Sequence, residues 1–299
     1  MNGISNHLFM KTTAWIFLTV LGMATIPAGG TPAIQEKRSF ASLQESLQAD
    51  RIVTYRRVGN RELSLHIFNP KDFESSGNAP AFVAIHGGGW TSGTPSRFYP
   101  YAHALVDKGY VGISVEYRLV GQKGVTVFDC VKDGRAAIRY IRAHAGELGI
   151  DPARIAVSGG SAGAHVAAGT ALFDGIDHDG ENLEISCKPD ALVLYFPVID
   201  TSEKGYGCRR IGEGWKTISP VDQVKAGAPP TLIFHGDADN TTPYAGSVLF
   251  TGRMTKAGNV CELVTEPGGG HGHLNQDMAL FDAAIGKTAA FLGEHLERK

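Results

Sequence analysis

The sequence predicts an α/β fold, a mostly parallel central sheet with helices on both faces. Two observations carry this. Short apolar runs of strand-like composition recur along the chain, and segments with helical spacing of apolar residues separate most of them. Several of these runs also end in glycine, as strands do when they feed tight loops. With 299 residues, 43% of them hydrophobic, the chain can bury one sizeable core. No internal repeat, low-complexity tract or long charge run interrupts the alternation.

In chain order, residues 1–30 differ from the rest. Lys11 is their only charged side chain, and an apolar stretch from Ala14 to Ile26 precedes the small residues of "PAGGT". This pattern predicts a secretory signal peptide, leaving residues 31–299 as the folded domain, secreted or periplasmic. The apolar run is broken by Gly22 and Pro27, so no lasting membrane insertion is expected after cleavage. Residues 31–50 are polar, with room for one short helix. "RIVTYRRV" and "RELSLHIFNP" flank Gly59-Asn60 and predict a hairpin. "AFVAIHGGGW" and "YVGISVEYRL" read as strands, and Val131, Ile138, Ile141, Ala145 and Leu148 predict an amphipathic helix over about 128–147. "RIAVSGG" is a strand, residues 161–172 a helix, and "ALVLYFPVI", "TLIFHG" and "CELVTE" are further strands. Helices follow at about 243–257 and 277–297. Residues 173–190 and 201–229 stay irregular. The first stretch is acidic but lacks the ligand spacing of an EF-hand loop, and the second is the candidate for a short lid.

Without residues 1–30, 27 basic residues stand against 30 acidic ones, which excludes an electrostatic case for nucleic acid or anionic membrane as a partner. Cys187 and Cys208 flank one strand and, in an oxidising compartment, are the preferred pair among Cys130, Cys187, Cys208 and Cys261. None has metal-site spacing.

The chemistry gathers around Ser161. Gly159-Gly160-Ser161-Ala162-Gly163 fits G-x-S-x-G between a predicted strand and a predicted helix, the context of a nucleophile elbow. Such a serine needs a base, an orienting acid and an oxyanion hole. His86-Gly87-Gly88-Gly89-Trp90 ends an earlier strand, so the N–H groups of Gly87 or Gly88 can join that of Ala162 in holding an oxyanion. Asp237 and Asp239 both follow "TLIFHG". Asp239, deeper in the loop, is preferred as the acid, leaving Asp237 to the turn. "GGGHGH" offers His271 and His273. His271 is preferred as base, with His273 lining the pocket or solvated, while His86 and His235 brace loops. Trp90 and Trp215 are candidates for the pocket border. The chain order Ser161, Asp239, His271 is that of serine hydrolases built on an open α/β sheet.

On these motifs the chain resembles the α/β-hydrolase superfamily, and within it the hormone-sensitive-lipase-like and bacterial feruloyl- and acetyl-esterase-like carboxylesterases. The likeness extends over about residues 50–297. It rests on "HGGGW", "GISVEYRL", "GIDPARIAVSGGSAGAHVAA", "SPVDQV", "APPTLIFHGDAD" and "GGGHGH". It implies catalytic roles for Ser161, Asp239 and His271, and an oxyanion hole from the glycine backbone. The chain departs from many relatives in carrying Gly160 before the serine, where Asp or His is common, and His273 where an aromatic residue is common.

The expected activity is hydrolysis of short-chain or carbohydrate-linked esters, acetyl or feruloyl in type, with no metal or organic cofactor. The enzymatic alternative is a prolyl-oligopeptidase-like peptidase, although the chain offers no stretch for an N-terminal propeller. A catalytically silent binding module of the same fold is the non-enzymatic alternative.

Overall fold

The apolar runs of the sequence become the strands of one sheet. In the computed structural model, which describes residues 38–296 apart from 72, 74–76 and 123, these are β1 (Arg51–Val58), β2 (Arg61–Phe68), β3 (Ala79–Ile85), β4 (Val111–Val115), β5 (Ile150–Gly160), β6 (Ala191–Tyr195), β7 (Thr231–Gly236) and β8 (Cys261–Glu266). The 8-stranded sheet has the order β1-β2-β4-β3-β5-β6-β7-β8. β1 and β2 form the expected hairpin, and β2 runs antiparallel to β4. From β4 to β8 every neighbouring pair is parallel. One compact unit spans Arg38–Lys299. The signal peptide expected over residues 1–30 lies outside the described residues.

The helices are α1 (Phe40–Ser46), α2 (Tyr99–His103), α3 (Val127–Ala143), α4 (Ala162–Leu172), α5 (Cys208–Ile211), α6 (Tyr244–Lys256) and α7 (Met278–Leu296). Side chains alternate along the buried strands, so each strand feeds two cores. Val83, Ile85, Val157 and Leu194 pack toward Val131 of α3, Val166 of α4 and Phe250 of α6. Phe82, Ala84, Ala156, Val193 and Tyr195 pack on the opposite face with Phe40 of α1, Tyr101 of α2 and Phe281 of α7. Helix α3 starts at a capping box, in which Thr126 and Asp129 satisfy each other's backbone N–H. Among the described residues, no helix is long and apolar enough to cross a membrane.

Two expectations about loops meet the structure differently. Four acids of the 173–190 stretch serve as ion-pair partners: Asp177 binds Arg135 and Arg139, Asp174 binds Lys225, Glu181 binds Arg56, and Asp190 binds Arg142. The Cys187–Cys208 disulfide is not formed, and all four cysteines are free. The reason lies in the strand between them. Residues separated by a strand as long as β6 stand on the order of 17 Å apart, at opposite sheet edges, whereas a disulfide needs Cα atoms within about 7 Å. Cys187 is buried and donates to the Thr170 carbonyl, while Cys208 opens α5 beyond the other edge.

One buried charge cluster connects the sheet to the region of interest. Arg118 lies just past β4, and the Asp133 carboxylate of α3 accepts from its Nε at 2.8 Å, its Nη2 at 3.0 Å and its backbone N–H at 3.0 Å. His178 adds a bond at 2.8 Å. Burial alone would raise the Asp133 carboxyl, but the bonds from His178 and Arg118 outweigh it and hold the group below the usual carboxylate range. Asp133→Ala is therefore expected to lower unfolding stability by ~3 kcal/mol at neutral pH, because it removes the main partner of a buried guanidinium and leaves it only Asp129 at 3.3 Å. A depressed carboxylate contributes its stability above its unfolded pKa and loses it as pH falls through the folded one. The gap between wild type and variant should hold at neutral pH and narrow as pH falls below about 4. Urea denaturation across that range measures it.

Candidate active site

The register of the parallel strands brings their carboxyl ends into line, with Ile85 opposite Gly159 and Gly160 opposite Tyr195. Open α/β sheets place their sites along that edge. At its centre β5 turns directly into α4 through Ser161, whose φ of 54° and ψ of −123° lie outside the usual regions for a side-chain-bearing residue. Its glycine neighbours are required by contact. A Cβ on Gly159 would stand 2.4 Å from the Gly163 carbonyl oxygen, and one on Gly163 would stand 2.1 Å from that of Ile85. The helix start is thereby pressed against the end of β3, where the HGGG segment begins.

The structure brings Ser161, His271 and Asp239 into one chain of hydrogen bonds. Ser161 Oγ lies 3.0 Å from His271 Nε2, and His271 Nδ1 lies 2.7 Å from Asp239 Oδ2. With Nδ1–H donating to the carboxylate, Nε2 is free to accept the serine proton. Asp239 is fully held. Its Oδ1 accepts from the N–H groups of Thr241 at 2.8 Å and Thr242 at 2.9 Å, and its Oδ2 accepts from Thr242 Oγ1 at 2.9 Å. His235 Nε2 lies 3.2 Å from Oδ2 and 2.9 Å from the Thr242 carbonyl oxygen, while Ser247 Oγ faces its Nδ1 at 2.7 Å. Burial would raise the Asp239 carboxyl, but the bonds from His235, His271 and Thr242 outweigh it and keep the group ionised far below the usual range. An aspartate so held can orient an imidazole and stabilise its charged form without taking its proton.

The HGGG segment is braced from below. His86 donates Nδ1–H to its neighbour's carbonyl oxygen, Gly87 O, at 2.8 Å and stacks on Tyr117 at 4.5 Å, while the Tyr117 hydroxyl donates to His86 O at 2.9 Å. Burial pushes the His86 imidazole down to about 4, so it stays neutral at ordinary pH. Gly87 is so close to the elbow that a Cβ there would meet the Gly160 carbonyl oxygen at 2.8 Å and the Ser161 Cβ at 3.1 Å. Gly88 adopts φ 119°, and its carbonyl accepts from the N–H groups of Thr91 and Ser92. The backbone N–H groups of Gly87, Gly88 and Ala162 make none of the loop, turn or cap hydrogen bonds between backbone groups. Donors of this kind can hold a developing oxyanion.

A cleft of about 480 Å³ opens over the serine, lined by Ser161, His271, Gly87 to Gly89, Phe98, Phe196 and Tyr206, with Phe40 and Gln44 of α1 on its rim. Gly160, the departure noted in the sequence, is accounted for here. A Cβ on it would stand 2.4 Å from Phe98 and 3.0 Å from Phe196, so the two aromatic rings occupy the space of a side chain. Phe196 also sets its ring edge-on to His271 at 5.3 Å, from a backbone with φ 36°.

Some sequence-based placements need correction. Trp90 does not border the cleft. It is fully buried, with its ring edge-on to His165 at 5.2 Å and tilted on Tyr206 at 5.5 Å, because its positive φ turns the side chain inward. Trp215 also lies off the cleft. It is half-buried at the start of a 3-10 turn, and the neighbouring Gly214 packs on Phe128 of α3. His273 is neither a pocket wall nor solvated. It is buried near Phe196, with Nδ1–H donating to the Gly270 carbonyl at 3.2 Å. Asp237, assigned to the turn, accepts from the Gly268 N–H at 2.7 Å and so anchors the loop that carries His271. Thr242, Tyr117 and Phe196 were not singled out in the sequence. Only the T-T-P after Asp239 hinted at a local brace. Among the described residues, no group of three or more His, Cys, Asp or Glu side chains is arranged to hold a metal ion.

Known proteins resemble the chain along most of its length. The BD-FAE family model matches residues 65–207, and that of the Prolyl oligopeptidase family matches residues 194–299. The probable carboxylic ester hydrolase LipM of Mycobacterium tuberculosis is 26% identical over 246 residues, covering 74% of this chain and 56% of LipM. The carboxylesterase NlhH of the same organism is 30% identical over 219 residues, covering 66% of this chain and 67% of NlhH. For LipM and several other curated relatives, the chain spans only about half of their length. Thermogutta terrifontis esterase 2, solved phosphoramylated by tabun, is 38% identical with a TM-score of 0.79, covering 83% of this chain and 96% of that one. The same esterase has been solved with propionate bound and with butyrate bound.

The tight seat of Gly87 generates a test. In Gly87→Ala, the added Cβ, 2.8 Å from the Gly160 carbonyl oxygen, must displace either the HGGG segment or the elbow. The rate at which a fluorophosphonate labels Ser161 should fall about 100-fold, the usual scale for losing one oxyanion donor. Timed labelling followed by peptide mass mapping reads the rate and the site together.

Proposed function

The chain belongs to the α/β-hydrolase carboxylesterases, and on that premise we propose that it is a serine esterase acting on short-chain or carbohydrate-linked esters, acetyl or feruloyl in type. The observation that carries the reading is the unbroken hydrogen-bond chain from Ser161 Oγ through His271 to Asp239, at 3.0 Å and 2.7 Å.

In this mechanism His271 takes the Ser161 proton on Nε2 as Oγ attacks the ester carbonyl. The N–H groups of Gly87 or Gly88, with Ala162, receive the charge on the carbonyl oxygen. Asp239, already ionised and fully hydrogen-bonded, offsets the positive charge that appears on His271. His271 then gives the proton to the leaving alcohol, and water repeats the sequence on the acyl-serine, releasing the acid. Phe98 and Phe196, packed over Gly160, favour small acyl groups. The propionate and butyrate held by the Thermogutta esterase support the same preference. The polar cleft rim, with Gln44, Thr241 and Asn275, suits a hydroxyl-rich leaving group. Export by way of residues 1–30 would put the enzyme beside polymeric esters.

The match of residues 194–299 to the Prolyl oligopeptidase family supports a second reading, a serine peptidase using the same three residues. A ladder of p-nitrophenyl esters from acetate to palmitate, run beside an aminoacyl-prolyl p-nitroanilide, separates the two. The esterase reading expects hydrolysis of the acetate to butyrate members, loss of nearly all activity in Ser161→Ala, and a fall of about 10,000-fold in kcat in Asp239→Asn. Cleavage of the anilide without cleavage of any ester would favour the peptidase instead.

A further inference from the structure

The cleft over Ser161 carries one kind of charge. Among the described residues, Arg97 is the only exposed charged side chain besides the triad that lines it, and no carboxylate is part of its lining. Arg97 sits in the 3-10 turn Pro95–Phe98, where Pro95 receives the Ser114 hydroxyl and Phe98 is buried. Those two residues account for the packing of the turn. The Arg97 guanidinium has no hydrogen-bond or ion-pair partner among the described residues, and its charge lies near His86 and Tyr117.

Across Tyr206 the cleft meets a second groove, of about 560 Å³, lined by Tyr206, Glu203, Arg209 and Arg210. Arg210 donates to the Gly89 carbonyl at 3.1 Å and reaches the Tyr206 hydroxyl at 3.4 Å, which ties the groove to the HGGG segment. Arg209 is exposed and, like Arg97, has no partner among the described residues. Among the described residues lining this groove Glu203 is the one acid, and it pairs with neither arginine. A chain with more acidic than basic residues overall thus faces the reacting serine with an excess of positive charge. Such a local excess favours an anionic ligand.

We propose that the substrate of this site is a carboxylate-bearing ester, whose non-reacting part runs from the serine over Tyr206 and is held by Arg97 and by Arg209 and Arg210. The proposal rests on the esterase reading and narrows it from esters in general to anionic ones. Guanidinium pairs with carboxylate through two parallel N–H···O bonds, which suits a substrate that must be held in register while its ester lies at Ser161. Two sources share this chemistry, an oligomer of acidic sugars bearing O-acetyl groups and a half-ester of a small dicarboxylic acid.

The test compares kcat/KM within matched pairs. One pair is O-acetylated trigalacturonate against O-acetylated xylotriose, the other methyl hydrogen succinate against methyl butyrate. The anionic member of at least one pair is expected to be preferred about tenfold by the wild type, and the pair that responds identifies the source. In Arg97→Gln/Arg209→Gln that preference should disappear, and Arg97→Glu/Arg209→Glu should reverse it, with melting temperatures confirming that the variants fold. Raising the ionic strength should erode the preference in the wild type only. Equal rates within both pairs, or a preference untouched by both variants, would overturn the proposal. A binding arm keeps this result separate from failure of the esterase reading. Calorimetric titration of Ser161→Ala with trigalacturonate and with succinate needs no turnover. Binding of one of them, weakened about tenfold (~1.4 kcal/mol) by Arg97→Gln, supports the anion site whether or not p-nitrophenyl acetate is hydrolysed.

Discussion

The Asp239 carboxylate is the fixed point on which the site depends. It is buried, and burial of an ion is tolerable only when its lone pairs are satisfied. Two backbone N–H groups, a threonine hydroxyl and two imidazoles satisfy it. Because the same loop after β7 supplies most of these donors, the charge and the loop conformation stabilise each other. His271 then has one favourable position, with Nδ1 on the carboxylate and Nε2 on Ser161. The ring of Phe196 and the Asp237 bond to Gly268 restrict the loop that carries it.

A second constraint comes from the backbone. The elbow and the HGGG segment approach so closely that Gly87, Gly159 and Gly163 have no room for a Cβ. The strain at Ser161, a serine with φ 54°, persists because β5 on one side and α4 on the other leave the turn no alternative. Below this layer the ordering continues outward. Asp133 holds Arg118, Tyr117 in the same short segment holds the His86 carbonyl, and His86 holds Gly87. A buried charge on α3 thus reaches the oxyanion loop in three contacts.

Much of this was legible in the sequence, for identifiable reasons. The central strands are unbroken apolar runs buried on both faces, and α3 carries helical apolar spacing, so both kinds of element stand out in the sequence. Ser161 and His271 stand beside glycine and Asp239 three residues past Gly236, all in loops that follow strands, where backbone geometry leaves few alternatives. What escaped reading depends on tertiary packing. Trp90 adjoins the glycine run and so is a candidate for the pocket border, but its positive φ sends the ring into the core. His273 and Phe196 find each other only once β6 and the loop after β8 are adjacent. The cysteine pairing failed because flanking a strand in sequence means separation across a sheet in space.

The division of labour in the cleft also bears on how such a protein can change. The reacting serine's surroundings are built from main chain and from glycines with no spare volume, so substitution there removes function without offering a new one. The walls are different. Gln44 comes from α1, Arg97 from a turn and Tyr206 from the irregular segment after β6, and none of the three belongs to a strand or to the buried core. A lineage carrying this scaffold can exchange those side chains freely while the chemistry stays untouched. Divergence in what is hydrolysed should therefore be written in three loosely constrained segments, and the reaction itself should be inherited unaltered.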